Sequence, residues 1–305
     1  MKKPSLKIHV AAGLLTLLTV NVASAAPASN EAPSLPEAVE TLREQVDKLN
    51  AQNTRSCPAD YRRQLPSSGP LRISIFYGYE NFGDRTFDLV NSQAMARVLQ
   101  EKCQGPAQVC GFKISRKTAT QTQLTKTVGG QAVTINLYAS SLTSFDNQNM
   151  NPDDKFWEQR KRSQAIKAHF YQELQASDVV FYGGHSRLGG GPSFEGQTLA
   201  QIGFNYLFKL PLRPVLEAVS ARPTKLKVLG LFSCSSNKYY RTEFERANPN
   251  LSLIVSHDEI ESGEAEQMTI GALNSLLARK CAPEVKASLV SEQVPEHDVM
   301  EFIRK

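Results

Sequence analysis

Four short runs in the chain are apolar almost without a break: Leu71–Tyr77 (LRISIFY), Asp178–Tyr182 (DVVFY), Leu226–Phe232 (LKVLGLF) and Leu251–Ser256 (LSLIVS). Each has the length of a strand, and an unbroken apolar run marks a strand covered on both faces. Helical patterns lie between them. Arg85–Lys102 carries apolar positions at Phe87, Val90, Met95, Val98 and Leu99, while Asp153–Gln175 is helical and strongly charged. Pro214–Ala221, Lys238–Arg246 and Glu264–Lys280 complete the set of predicted helices. Two further strand-like runs, Phe112–Lys117 and Ala132–Tyr138, enclose a Thr/Gln/Lys-rich stretch ending in Gly129-Gly130, whose second half reads as a hairpin entry. Strands alternating with helices predict an α/β fold, with a mostly parallel central sheet flanked by helices on both faces.

The N-terminal segment has a different pattern. Lys2, Lys3 and Lys7 precede an apolar stretch from Ile8 to Val20, and Ala23-Ser24-Ala25 supplies small residues at the expected cleavage point. This is the pattern of a secretory signal peptide over residues 1–25, too short to be a comfortable membrane span. It predicts an exported protein, periplasmic or secreted, with no membrane span after cleavage. Residues 26–69 read as a flexible lead-in. Within them Val39, Leu42, Val46 and Leu49 form a two-heptad stripe, suited either to weak homo-oligomerisation or to an amphipathic helix lying on the domain. A polar linker from Cys57 to Pro70 follows, and residues 70–305 form the α/β domain. Loss of the first 25 residues removes three lysines and no acids, lowering the net charge from +5 to +2. That balance argues against nucleic acid as a partner.

An exported chain oxidises its thiols, and five cysteines remain after cleavage, so one is left over. Cys103 and Cys110 flank a turn and suit a small loop; Cys57 and Cys281 lie near the two ends of the folded region. Spacing alone does not fix the pairing, but this choice leaves Cys234 free.

Cys234 and His185 each stand just past an apolar strand, where ligands and chemistry gather in a parallel sheet. Their strands are joined by one helical crossover, which makes them expected neighbours. A cysteine at a strand–helix turn meets the positive end of the helix, which favours the thiolate, and a nearby imidazole completes an activated nucleophile. Gly184 and Ser233 are small enough to let a substrate backbone approach. The glycine-rich run Arg187–Pro192 lacks a P-loop ending and reads as a cleft rim. The four histidines of the mature chain make no metal motif, so no metal and no cofactor is expected. The basic stretch Arg116–Lys126 reads as an exposed loop open to nicking.

The two motifs VVFYGGHS and VLGLFSCSS, with a His-to-Cys separation of 49 residues, resemble those of the caspase-like cysteine peptidases, the group of caspases, gingipains and legumains. The exported bacterial gingipain-like members are the most similar. The resemblance spans about residues 70–280. It implies a Cys234/His185 dyad hydrolysing peptide bonds in a protein or peptide substrate through a thioester. The N–H groups of Ser186 and Cys234 would form the oxyanion hole, and Asp258 and Glu259 would help line a pocket suited to a basic side chain. The chain departs from the family at Ser186, where the family has glycine, and lacks the caspase QAC signature around the cysteine. That departure favours the alternative of a catalytically inactive caspase-like module that binds or regulates a partner in the cell envelope. A third possibility is a structural envelope protein organised by the Val39–Leu49 helix.

Overall fold

The computed structural model describes residues 33–52, 55–61, 65–66, 69–79, 87–143, 150–195, 203–204, 207–208, 211–289 and 300–303. The expected signal peptide lies outside them. One eight-stranded sheet organises the described chain, in the order β2-β3-β4-β1-β5-β6-β7-β8. Its strands are β1 (Leu71–Tyr77), β2 (Lys113–Lys117), β3 (Gln121–Val128), β4 (Gln131–Tyr138), β5 (Val179–Gly183), β6 (Val228–Phe232), β7 (Ser252–Ser256) and β8 (Met300–Ile303). The five central strands β4, β1, β5, β6 and β7 are parallel. The β2–β3, β3–β4 and β7–β8 pairs are antiparallel, so the sheet is mixed: its centre is parallel, as expected, and its two margins are not. The antiparallel part arises where the Gly129-Gly130 turn, both residues at positive φ, folds β4 back on β3.

Among the described residues these α-helices flank the sheet: α1 (Leu35–Ala51), α2 (Phe87–Gln100), α3 (Pro152–Ala176), α4 (Leu212–Ser220), α5 (Ser236–Ala247), α6 (Ser262–Leu277) and α7 (Ala282–Ser288). Strand side chains alternate between faces, and the core divides accordingly. Ile73, Ile75, Val179, Phe181, Val228 and Ile254 pack on the side of α1, α2, α6 and α7. Phe76, Val180, Tyr182, Leu229, Leu231 and Leu253 pack on the side of α3, α4 and α5. Both faces are therefore apolar and both are covered. None of the described helices is long and apolar enough to cross a membrane.

The heptad stripe is spent inside the chain. Val39, Leu42 and Leu49 are buried in the core, where α1 packs on α2 and α6. This fixes the amphipathic-helix alternative and removes the surface on which a homo-oligomer through Val39–Leu49 was placed. Within the span read as a lead-in with a short heptad helix and linker, residues 26–69, Ser34 caps α1 with a capping box, and Tyr61 is buried with its hydroxyl donating to Lys280 O at 2.6 Å. Disulfides join Cys57 to Cys281 and Cys103 to Cys110, and Cys234 is the free thiol. Arg116–Lys126, expected as an exposed loop, instead supplies the end of β2 and most of β3, paired residue for residue with β4 from Gln121 onward.

Candidate functional site

The register of β5 and β6 sets the two chemical residues side by side. Gly183 is the Cα partner of Phe232. His185 and Cys234 each follow two residues beyond that pair, and the ladder continues past it through Gly184 N–H to Phe232 O at 3.2 Å. Adjacent parallel strands lie about 4.8 Å apart, so the chain direction alone brings both residues to the mouth of one cleft. They line it together, along with the end of β1, the start of α2 and the start of α6.

Each turn is held from below. On the histidine side the anchor is Tyr182, whose hydroxyl accepts from Ser193 N–H at 3.0 Å and lies 3.1 Å from His185 O as donor. That knot ties the His185 loop to the segment returning at Ser193. It also requires glycine at two places: a Cβ on Gly184 would lie 2.8 Å from the Tyr182 hydroxyl, and one on Gly78 only 2.6 Å from it. The next turn, Arg187–Gly189, carries Arg187 and Leu188 at φ 49° and 53°, a left-handed conformation costly for side chains of this size. Tyr240 on α5 holds it by donating to Ser186 O at 2.5 Å. The glycine-rich rim is thus pinned at its base.

On the cysteine side three serines lace the turn. Ser236 Oγ donates to Leu231 O at 2.8 Å and accepts from Ser256 N–H at 2.8 Å, while Ser256 Oγ donates to Ser233 O. Ser235, the N-cap of α5, takes φ 51°, and its N–H donates to Asp258 O at 2.8 Å. The result is a sharp strand-to-helix bend with a half-buried cysteine just before the N-cap of a twelve-residue helix. Cys234 Sγ donates to Ile260 O at 3.6 Å.

The remaining cleft walls are acidic and small. Asp88 is buried at the start of α2 and accepts from Leu89, Ser140 and Ser141 N–H at 2.8–3.0 Å; burial raises its pKa, and these bonds oppose the rise. Glu261 caps α6, exchanging a capping box with Glu264. Glu266 differs from both. It is 5% exposed, and burial pushes its carboxyl up to about 8, opposed only by the Tyr77 phenol. Glu266 and Tyr77 interact with each other, the phenol lowering the carboxyl and the carboxylate raising the phenol, although Glu266 Oε2 and Tyr77 Oη lie outside strict hydrogen-bond geometry. Burial, and then the nearby carboxylate, carry the Tyr77 phenol well above its ordinary range. Gly78, Gly183, Gly184 and Ala265 complete the surroundings of this pair.

Of the residues singled out from sequence, His185, Gly184 and Cys234 line the cleft. Ser186 is buried and is not among its walls, and its carbonyl is taken by Tyr240. Ser233 is buried beneath the bend, because its carbonyl faces Ser256, and does not reach the cleft either. Asp258 and Glu259 are exposed and lie off the cleft; the Asp258 carbonyl, rather than its carboxylate, meets the site by accepting from Ser235. These three placements correct the expected substrate pocket. The acids that do wall it, Asp88, Glu261 and Glu266, come from the N-terminal turns of two helices. Glu266 had one legible signal: it heads the stripe Glu266, Ile270, Leu273, Leu277, an acid standing where the helix pattern calls for an apolar residue.

Among the described residues no group of three His, Cys, Asp or Glu side chains is disposed to hold a metal ion. No protein-family model matches the chain, and no curated protein or solved structure matches it.

Proposed function

We propose that the chain is an exported cysteine endopeptidase of caspase-like architecture, working without a cofactor. The observation that carries this reading is the placement of His185 and Cys234, two residues beyond the matched pair Gly183–Phe232 on adjacent parallel strands, with the free thiol opening into a shared cleft. Cys234 Sγ, as thiolate, attacks the carbonyl carbon of the scissile peptide bond. The electron pair moves to the carbonyl oxygen, where the Cys234 N–H and the N-terminal end of α5 oppose the charge. As the tetrahedral adduct collapses, the C–N bond breaks and His185 gives its proton to the leaving amine, leaving a thioester on Cys234. Water, deprotonated by His185, then attacks the thioester and releases the carboxylic acid and the thiol. Small residues on both sides of the dyad suit an extended backbone laid across the strand ends.

A second reading, a caspase-like binding module with an idle dyad, is favoured by one contact: the Cys234 thiol is engaged as a donor to Ile260 O. The two readings part in one experiment on the mature chain, hydrolysis of a mixed peptide library read by mass spectrometry. The peptidase reading expects cleavage that falls by at least about 10³-fold in Cys234→Ala and by a similar order in His185→Ala. An intact library with folded wild-type protein, or cleavage that survives Cys234→Ala, would falsify it.

A further inference from the structure

We propose that the outer edge of β2 is a docking strand for an acidic, extended segment of a partner protein, which adds to the sheet as a further strand. The observation behind this is the distribution of charge along the chain. No Asp or Glu occurs between Glu101 and Asp146, whereas that stretch holds Lys102, Lys113, Arg116, Lys117 and Lys126. The balance of the mature chain is only +2, so everything outside the stretch sums to −3. The fold gathers these cations at one margin: β2, β3 and β4 form an antiparallel meander, and β2 is the last strand of the sheet on that side. Lys113, Ile114, Ser115, Arg116 and Lys117 are all exposed. The nearest acid in sequence, Glu101, is taken by Arg43 at 2.7 Å.

An edge strand turns a row of N–H and C=O groups outward, a template on which another strand can pair. β2 is fixed at both ends. Phe112 N–H donates to Leu99 O at 2.8 Å and Gly111 N–H to Glu101 O at 2.7 Å, while the Cys103–Cys110 disulfide closes the loop that leads in. At the far end Thr118 N–H donates to Gln121 O at 2.8 Å, and Thr118 Oγ1 accepts from Gln121 N–H at 3.0 Å. A strand held in this way loses little freedom on pairing. The cations then select the occupant. A second copy of this chain, edge to edge, would set them against their like, and the register shift between Ile114 and Arg116 bends the strand away from flat stacking. Single-stranded nucleic acid would find charge but no ring on β2 for its bases, since Phe112 beside it is buried. A lipid surface would find one apolar side chain there, Ile114. An acidic peptide in extended form meets both features. Its backbone pairs with the edge, and its carboxylates meet cations on both faces: Lys113 and Arg116 share one, paired with Thr125 and Gln123, and Lys117 lies on the other, paired with Thr122.

The inference stands apart from the peptidase reading, and its test uses the mature, disulfide-bonded chain carrying Cys234→Ala so that no cleavage intrudes. The probe is a fluorescein-labelled peptide of glutamates interspersed with valine and threonine, followed by anisotropy at low salt. Two controls have the same length: one with glutamine for every glutamate, and one with the glutamates kept and the backbone amides N-methylated, which removes the donors and leaves the charge. Saturable binding is expected for the parent peptide, weakening as salt is added. The glutamine peptide should bind at least about tenfold more weakly, as three exposed ion pairs together allow, and the methylated peptide should lose a similar factor. Hydrogen exchange at the β2 amides should slow on binding. Lys113→Glu, Arg116→Glu and Lys117→Glu together should abolish it, and these exposed positions leave the core untouched. No saturable binding by the parent peptide overturns the proposal. So does equal binding by the methylated peptide, or binding that leaves β2 exchange unchanged, either of which would mean charge attraction without strand pairing. An oligonucleotide or an anionic phosphatidylserine vesicle that binds as tightly as the peptide overturns it in favour of a general polyanion surface.

Discussion

Exchanging Glu266 for glutamine removes one proton-binding group from α6 and keeps its shape. In the folded chain burial raises this carboxyl from 4.5 to about 8. The folded state therefore holds the proton more tightly than the unfolded chain. Between these two values stability falls as pH rises, because folding must retain a proton that the solvent increasingly removes; above about 8 the loss is complete and the curve flattens. Each pH unit inside the window is worth ~1.4 kcal/mol for a single group. From pH 5.5 to pH 8 the wild type should thus lose on the order of 3 kcal/mol through Glu266 alone. The amide of Glu266→Gln has its own burial cost, about 1–3 kcal/mol if it finds no partner, but that cost is independent of pH and shifts the whole curve. Asp88, raised by burial, and Glu173, held low by Arg72, Ser177 and Tyr138 against the opposing effect of burial, titrate in both proteins and cancel in the difference. Urea unfolding with disulfides intact, at half-unit steps from pH 5.5 to pH 8.5, gives the two stability curves. They should converge or cross as pH rises, the variant gaining on the wild type by on the order of 3 kcal/mol. Parallel curves would refute the reasoning, since they would mean that Glu266 is ionised or solvated in the fold much as it is in the unfolded chain.

Two further outcomes follow from the packing of the helices. A Cβ on Gly271 would fall 1.9 Å from Ser288 O, so Gly271→Ala must push α7 off α6; a loss of about 3 kcal/mol in chemical denaturation is expected, and an unchanged midpoint would contradict the close approach. Leu42→Ala removes a side chain that is 1% exposed, which should cost about 2–5 kcal/mol while leaving the sedimenting mass unchanged; a shift in mass would return that stripe to an interface between copies.

The elements legible in the sequence were those whose burial is total. β1, β5, β6 and β7 lie inside the sheet with helices on both sides, so nearly every position is apolar and the run announces itself. β3 escaped notice because its neighbours cover it little: of Gln121–Val128 only Leu124 is buried, and apart from the half-buried Val128 the rest is Thr, Gln and Lys. β8, four residues at the sheet edge, gave no run at all. The α1 stripe was visible but ambiguous, since a spacing of three and four serves a second chain and the chain's own core equally well. At the site, His185 and Cys234 could be found because strand ends locate them in one dimension. Glu266 could not be placed, because what brings it to the cleft is the packing of α6 against β5 and β6, a contact between segments more than thirty residues apart in sequence. Ser233, Asp258 and Glu259 were misplaced for the converse reason: adjacency to a chemical residue along the chain does not say which way a side chain turns at a tight bend.

The bond between Cys57 and Cys281 has a consequence for how this chain could be processed. It joins positions 224 residues apart, so everything between them, including both dyad residues and all strands but β8, belongs to a covalent ring. A protease that opened one peptide bond anywhere in that ring would turn it into a linear chain without separating any part of it. The two new termini would gain freedom near the cut, yet the fragments would run as a single species until a reductant was added. Maturation by a single internal cut would therefore be invisible to size under oxidising conditions and plain under reducing ones, and no excised half could diffuse away from its partner.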